Sequence, residues 1–541
     1  MRLAISKKNQ STLLSILVVA GFTLPIFGFF VASGISPSRQ LLHSSNGTKL
    51  WVASSAQKVG RQAVPSRYTF NDTLHVSLAR NEYEAVQVVV LPKTHVTSMS
   101  LTASDLNHVL FPTEIIGNGN ITWNPVEYVL NDTYPDRLAL QGPFHATERV
   151  NTPIWFQIHA PSNVIAGTYR GTVQINGPGF NAANFTLEVE VWNFTLPEVG
   201  HIDSFFNPSV DPRDGDDLDI FHNMREHRAM PAGLDMGFTT ENATGQLEFN
   251  FTDWDVQFQY MLDRGQRAFM VGLPDRGGEG HPEFSVAYNE SAVRNYEKLY
   301  THLEAKNWTQ YCYVYQIDEP SIHECYTVEK HCQLLHQGAP TLRTLVTAEP
   351  SEEISFLFDD IDIWCPMPNG YDKSIVQHMK ETWECEFWSY VCLFPKSPYA
   401  NIQAYNPAMD GRLLTGFHSW AYDLDGFLYW HTTFYYYGNF GLGFNGFLDG
   451  WLLYPQEDGT GYLNSTRWEL LRDGFEDYEY LWMLNHTLHH NASTLPPNTE
   501  AEIEGIFDNL HALLPDPNEF EHDYNPYMNL REQIAQILVG M

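Results

Sequence analysis

Between residues 49 and 197 apolar and polar positions alternate over short runs, among them 73–79, 85–91, 154–159, 167–175 and 185–191. Asn, Gly and Pro separate these runs, and no 3.6-residue period lasts long enough to compete, so the pattern predicts an antiparallel β-sandwich. Beyond residue 198 the rhythm changes. Short apolar runs at 202–206, 230–236, 268–273, 311–317, 344–347, 361–365, 388–394 and 426–430 alternate with helical periods, clearest at 291–306, 324–336, 374–385 and 411–422. Eight strands alternating with helices predict a (β/α)8 TIM-type barrel whose site lies on the loops after the strand C-termini. A doubly wound open sheet is the competing layout. Helical periods at 464–485, 499–513 and 526–539 read as C-terminal helices packed on the barrel. The expected organisation is a targeting segment at 1–34, a sandwich at 35–198, a catalytic barrel at 199–463 and a helical segment at 464–541.

The first residues do not belong to that scheme. Arg2, Lys7 and Lys8 precede an apolar run from 13 to 32, and Ser33 and Gly34 follow it. A basic flank, an apolar stretch and a small-residue exit read as a secretory signal, and the length also suits an uncleaved membrane anchor. Either way the rest of the chain is expected outside the cell or in a lumen. Thirteen N-x-[ST] sequons begin at Asn46, Asn71, Asn120, Asn131, Asn184, Asn193, Asn242, Asn250, Asn289, Asn307, Asn464, Asn485 and Asn491, which fits a secreted glycoprotein. Six cysteines fall between 312 and 392, and outside the cell disulfides are the default expectation. None is spaced C-x-x-C. Cys325, His331 and Cys332 lack a fourth ligand at a familiar spacing, so no metal and no cofactor is called for.

Charge narrows the partners. The 541 residues carry 31 Lys+Arg against 65 Asp+Glu, a net of −34, which repels phosphate backbones and anionic lipid. Nucleic acid is thereby set aside, and the only membrane contact expected is an N-terminal anchor. Aromatic residues reach 14%, a supply of flat faces that suits sugars as well as cores. Oligomeric state leaves no sequence signature.

Candidate chemistry sits at the strand exits. The run at 311–317 ends in Asp318–Glu319–Pro320, two adjacent acids where a barrel places its catalytic groups. Asp275 and Glu279 follow the run at 268–273, and Glu349 follows that at 344–347. The later exits, at Pro366–Asn369, Pro395–Ser397 and His431–Thr433, carry no acid. A retaining glycosidase with its own nucleophile needs a second carboxylate about 5 Å from the acid, and the seventh exit offers Lys396 and Ser397 instead. A 2-acetamido sugar supplies its own attacking atom, the acetamido oxygen. That chemistry needs one carboxylate to orient the acetamido N–H and a neighbouring one to protonate the leaving oxygen. Glu319 suits the acid/base role and Asp318 the orienting one. Consecutive strand residues face opposite sides, so both reach one sugar only if the pleat breaks at the strand end, where Pro320 stands. The plain alternative for such a pair is a solvated turn or a helix cap.

The chain resembles glycoside hydrolase family 123, the exo-acting β-N-acetylgalactosaminidases, and the wider group sharing their catalytic domain. The resemblance is carried by L-A-R-N-E-Y-E-A-V-Q-V-V-V at 78–90, P-I-W-F-Q-I at 153–158, A-G-T-Y-R-G-T-V at 166–173 and Y-Q-I-D-E-P at 315–320. W-S-Y-V-C at 388–392, D-G-F-L-Y-W at 425–430, L-L-Y-P at 452–455 and L-R-D-G-F-E-D-Y-E-Y-L at 471–481 continue it in the same order. It implies a β-sandwich followed by a (β/α)8 barrel and substrate-assisted retaining hydrolysis, with Asp318 as stabiliser and Glu319 as acid/base. Terminal β-linked N-acetylhexosamine, GalNAc first, on a glycan or glycolipid is then the expected substrate.

Pocket walls are sought among Trp364, Trp388, Tyr390 and Trp430, with Tyr390 a donor to the acetamido oxygen; the competing reading is that these aromatics fill the core. Asp449, before Gly450, is a candidate for a sugar hydroxyl or else a turn residue. His227 and Arg228 are weaker candidates for a hydroxyl, and the helix around 472–480 reads as structural. Two further functions stay open. One is a glycosidase with a conventional second carboxylate, Glu349 or Asp275, acting on sugars without an acetamido group. The other is a glycan-binding surface protein without turnover.

Overall fold

The computed structural model describes residues 39–541 except 179, 209–217, 233–238, 242–245, 435–447, 457–460 and 492–494. The N-terminal apolar run, Asn242 and most of the predicted strand at 230–236 lie outside the described residues. Among the described residues no helix is long and apolar enough to cross a membrane.

Residues 39–195 form two seven-stranded sheets. In the first, Thr152–Ala160 pairs antiparallel with both Glu82–Leu91 and Ile121–Val129. In the second, Gly167–Gly177 and Phe180–Thr195 form a long antiparallel hairpin. Alternate side chains of the two sheets, such as Leu50, Val88, Val90 and Ile154 from one and Val76, Val173, Leu187 and Val189 from the other, meet in one apolar cluster. The inward-outward alternation of these strands is what allows that shared core. The pairing is not wholly antiparallel as expected. Thr73–Arg80 lies parallel to Phe180–Thr195, and Arg39–Ser45 lies parallel to Tyr68–Phe70.

The second half is built on a curled parallel sheet of seven strands: β1 Asp203–Phe206, β2 Phe269–Met270, β3 Cys312–Tyr315, β4 Arg343–Val346, β5 Ile363–Trp364, β6 Glu386–Val391 and β7 Gly426–Tyr429. The first strand pairs with the last, giving the order β1-β7-β6-β5-β4-β3-β2. Phe205, Tyr313, Leu345, Ile363, Cys365, Trp388, Tyr390 and Leu428 point inward to one core, and Phe206, Val346, Trp364, Phe387, Val391 and Phe427 point outward to the helices. The expected eight-strand barrel is therefore seven strands among the described residues. Where the eighth was expected, between β1 and β2, a single parallel bridge joins Phe206 to Pro231, and the Gln266 amide donates to the Pro231 carbonyl at 3.2 Å.

The expected C-terminal helices are present as Thr466–Asn491, Thr499–Leu513 and Tyr524–Val539. The first is no appendage. It packs on the helix Met409–Thr415, and its acids meet Arg412, Arg228 and Arg531, binding the parallel sheet to Glu82 and Glu84 of the first half. All six cysteines are free, which corrects the expected disulfides. Five are buried, Cys325 and Cys332 on the one helix Ile322–Gly338, and their thiols act as small apolar packing groups.

Candidate active site

The cleft opens at the C-terminal ends of β3, β4 and β6. β3 ends at Tyr315, and the chain bends at Asp318 and Glu319, where Glu319 takes a left-handed backbone, φ 44°. Such a φ interrupts the alternation of a strand. The pleat thus breaks at the residue where the sequence required a break, one position before Pro320. Ser321 then caps the helix Ile322–Gly338 through a capping box with Glu324, so the acid pair is held between a strand end and a helix start.

Thr347, at the exit of β4, ties the two acids together. Its hydroxyl accepts from the Glu319 amide at 2.7 Å and donates to Asp318 Oδ1 at 3.1 Å. Tyr315 donates its hydroxyl to Asp318 Oδ1 at 2.5 Å, and Tyr390, from β6, donates to Glu319 Oε1 at 2.7 Å. Burial first, then the field of Asp318, pushes the Tyr315 phenol well above its ordinary range; burial and Glu319 do the same for Tyr390. Both phenols therefore stay protonated donors. Both carboxylates remain open to solvent on their other sides. Glu319, Thr347, Tyr390, Glu349, Pro366 and Met367 line a cavity of about 320 Å³.

A third carboxylate stands nearby. Asp449 accepts from Gln403 Nε2 at 2.8 Å, from the Tyr429 hydroxyl at 3.1 Å and from Trp430 Nε1 at 3.0 Å. Burial raises its pKa in spite of those bonds. Gly450, φ 76°, makes this corner feasible: a Cβ there would lie 2.7 Å from the Trp430 ring. Burial, and then the charges of Asp449, Glu319 and Asp318, push the Cys392 thiol up to about 11, so all three acids are within electrostatic reach of one thiol.

The sequence-chosen residues divide. Asp318, Glu319 and Tyr390 come together. Trp430 and Asp449 form their own hydrogen-bonded pair, in which Asp449 orients the indole and has its oxygens engaged, a reason to read it as positioning Trp430. Trp388 and Trp364 are corrections. Trp388 faces the interior but points toward the opposite end, where its Nε1 donates to Glu386 Oε2 at 3.2 Å and its ring packs on Tyr313. Trp364 alternates outward between Ile363 and Cys365 and packs edge-on against Phe358. His227 and Arg228 are structural: they pair with Glu469 and Glu476 at 3.3 Å each. Glu279 receives hydrogen bonds from Asn295, Leu247, Arg294 and Ser291, which outweigh burial and bring its pKa down to about 2. Sequence reading missed Tyr315, Thr347 and Gln403 as site residues. Thr347 was open to discovery, because parallel neighbours place their exits side by side; Gln403 sits on a long loop and gave no signal.

Residues 236–484 match the family model described as glycoside hydrolase 123, catalytic domain. No curated protein matches the chain. Among solved structures, a family 123 glycoside hydrolase from Clostridium perfringens, studied for glycolipid glycan hydrolysis, is similar at TM-score 0.67 and 16% identity, covering 91% of this chain and 97% of that one. A family 39 glycoside hydrolase from Bacteroides cellulosilyticus is similar at TM-score 0.37 and 11% identity, over 75% of this chain and 82% of the other. The family match spans the acid pair, six of the seven parallel strands and most of the helix Thr466–Asn491, and the chain is accordingly a glycoside hydrolase whose residues 236–484 are similar to the family 123 catalytic domain.

Proposed function

We propose that this enzyme removes terminal β-linked N-acetylhexosamine, GalNAc in the first instance, from glycolipid glycans, with retention and with the substrate's acetamido group as nucleophile. The observation that carries the proposal is the broken pleat at Glu319, which frees two consecutive acids from facing opposite ways. In the first step the acetamido oxygen attacks C1 and the leaving oxygen takes the Glu319 proton, giving an oxazolinium ion. Asp318 accepts the acetamido N–H and balances its charge. In the second step Glu319 removes a proton from water, whose oxygen attacks C1 and reopens the ring. Tyr315 and Thr347 keep Asp318 in place throughout, and Tyr390 does so for Glu319. Glycolipid as substrate is supported by the work on the Clostridium perfringens enzyme. An exported location, by signal or anchor, belongs to the same proposal.

Glu319→Gln and Asp318→Asn should each lower kcat on an aryl β-N-acetylgalactosaminide by about 10²–10⁴-fold with an unchanged fold. A thiazoline mimic of the oxazoline should compete with substrate. Full activity in Glu319→Gln, or indifference to the thiazoline, removes the assignment. Glu349 favours a second reading, because it lines the same cavity as Glu319. A conventional two-carboxylate mechanism would then act on glycosides lacking the acetamido group and lose activity in Glu349→Gln.

A further inference from the structure

The cavity beside the acid pair is lopsided. Glu319, Tyr390 and Thr347 line it, and Asp318 does not. In the hydrolysis proposed above the reacting ring has to meet both acids, Asp318 at its acetamido group and Glu319 at its leaving oxygen. Space that Glu319 lines and Asp318 does not therefore lies on the leaving-group side. It runs from Glu319 between the first turn of the helix Ile322–Gly338 and the loops after β4 and β5, where Ile322, Glu349, Glu353 and Met367 line it. At about 320 Å³ it stands at the small end of ligand sites, room for one ring and not for a chain of them.

Its walls are of two kinds. Ile322 is 53% exposed on one of them. Tyr326, one helical turn further and 51% exposed, lies flat on Phe356, with ring centroids 4.5 Å and planes 6° apart. Side chains of a helix lean toward its N-terminus, so Tyr326 carries the apolar wall on from Ile322. A sugar ring offers a C–H face to such a wall. The other wall is acidic. Glu349 is seated there: a Cβ on Gly370 would fall 2.1 Å from its Cγ, and Asn369 Nδ2 donates to its Oε1 at 3.4 Å. Glu353 joins it, and among the described residues no Lys, Arg or His lines the cavity. Carboxylates accept from sugar hydroxyls and repel an anionic substituent. We propose that this cavity seats the penultimate sugar, the one released as aglycone, and that Glu349 and Glu353 admit a neutral or amino-bearing ring there and turn away one carrying a carboxylate or sulfate. The inference rests on the acid/base role proposed for Glu319 and adds the substrate class on the far side of the scissile bond.

The test uses the full chain and four substrates: an aryl β-N-acetylgalactosaminide, and β-N-acetylgalactosaminyl-galactosides whose galactose C6 carries a hydroxyl, a carboxylate or an amine. Among the last three, kcat/KM should fall in the order amine, hydroxyl, carboxylate, with the carboxylate at least about tenfold below the hydroxyl. Raising NaCl from about 10 mM to about 1 M should narrow that ratio, because the Debye length shrinks from about 30 Å to about 3 Å. Glu349→Gln and Glu353→Gln should each reduce the ratio by about threefold or more. Both substrates are measured on the same variant, so a general loss of activity cancels. Equal kcat/KM for hydroxyl and carboxylate in the wild type, or a ratio untouched by either substitution, overturns the inference while the hydrolysis stands. Loss of the aryl substrate in folded Glu349→Gln protein overturns it too, since the cavity would then hold the reacting ring with Glu349 as its nucleophile. A wild type that cleaves none of the four removes the role of Glu319, and this inference with it.

Discussion

Thr347 touches both acids with one hydroxyl, and it does so from a neighbouring strand. Replacing it by Val keeps the shape, removes the donor to Asp318 and leaves the Glu319 amide without its acceptor. The buried environment makes that loss felt, about 1–3 kcal/mol of local stability. Its larger effect is on alignment, because both carboxylates lose the same anchor. Thr347→Val should lower kcat by about 10–100-fold with a smaller change in KM, while Thr347→Ser restores most of the rate. A kcat equal to wild type in the Val variant would mean that the left-handed turn at Glu319 holds itself. Tyr315 belongs to the same scale. It lies inside the quoted Y-Q-I-D-E-P run, yet only the fold reveals that its hydroxyl returns to Asp318 three residues later.

At the scale of elements, the clearest constraint is where the helices Met409–Thr415 and Thr466–Asn491 cross. Gly474 faces Thr415, and a Cβ there would lie 2.1 Å from Thr415 Oγ1 and 2.5 Å from the Arg412 carbonyl. Gly474→Ala therefore forces the helices apart, a cost of about 1–3 kcal/mol by overpacking alone. It also pulls Arg412 from Asp477 and Glu84, so denaturant unfolding should show a loss at the top of that range or beyond; a neutral result would show the contact to be slack. The acids of this helix were legible as structural, because they recur inside a helical period. The parallel strands were legible for the same reason of rhythm. The facing of single aromatics was not. Trp364 and Trp388 sit in strands buried on both faces, where hydrophobicity cannot tell inside from outside. The sequon at Asn464 misleads similarly: its amide donates to Glu469 at 2.7 Å inside a buried network, so it is not free to carry a glycan. The cysteines misled because composition and compartment alone do not bring two thiols together.

Across the whole molecule, the two halves are joined through a buried assembly with more acids than bases. Arg228, Arg412, Arg472 and Arg531 face Glu82, Glu84, Glu469, Asp473, Glu476 and Asp477. Burial, against the pull of Arg472 and Arg412, pushes Asp473 up to about 7, and burial against Arg228 and Arg472 pushes Glu476 up to about 8. A carboxyl whose pKa is raised on folding contributes stability fully only below its unfolded value and loses it as pH rises through the folded one. Glu469 runs the other way. Arg472 and His227 overcome burial and hold it down at about 2, so its contribution exists above the ordinary glutamate range and fades only in strong acid. The two kinds together set a stability maximum near the ordinary carboxylate range, at about pH 4–5, with the loss on the alkaline side running up to the folded values of about 7 and 8. Thermal melting should then show Tm falling from about pH 5 to about pH 8 and levelling above that. Glu476→Gln keeps the volume and removes one titration, so its Tm should fall less steeply and exceed that of the wild type at the alkaline end. A wild-type Tm that is flat or rising over this interval, with the variant running parallel to it, would show that these carboxyls are ionised at neutral pH and that the junction is balanced by its arginines alone.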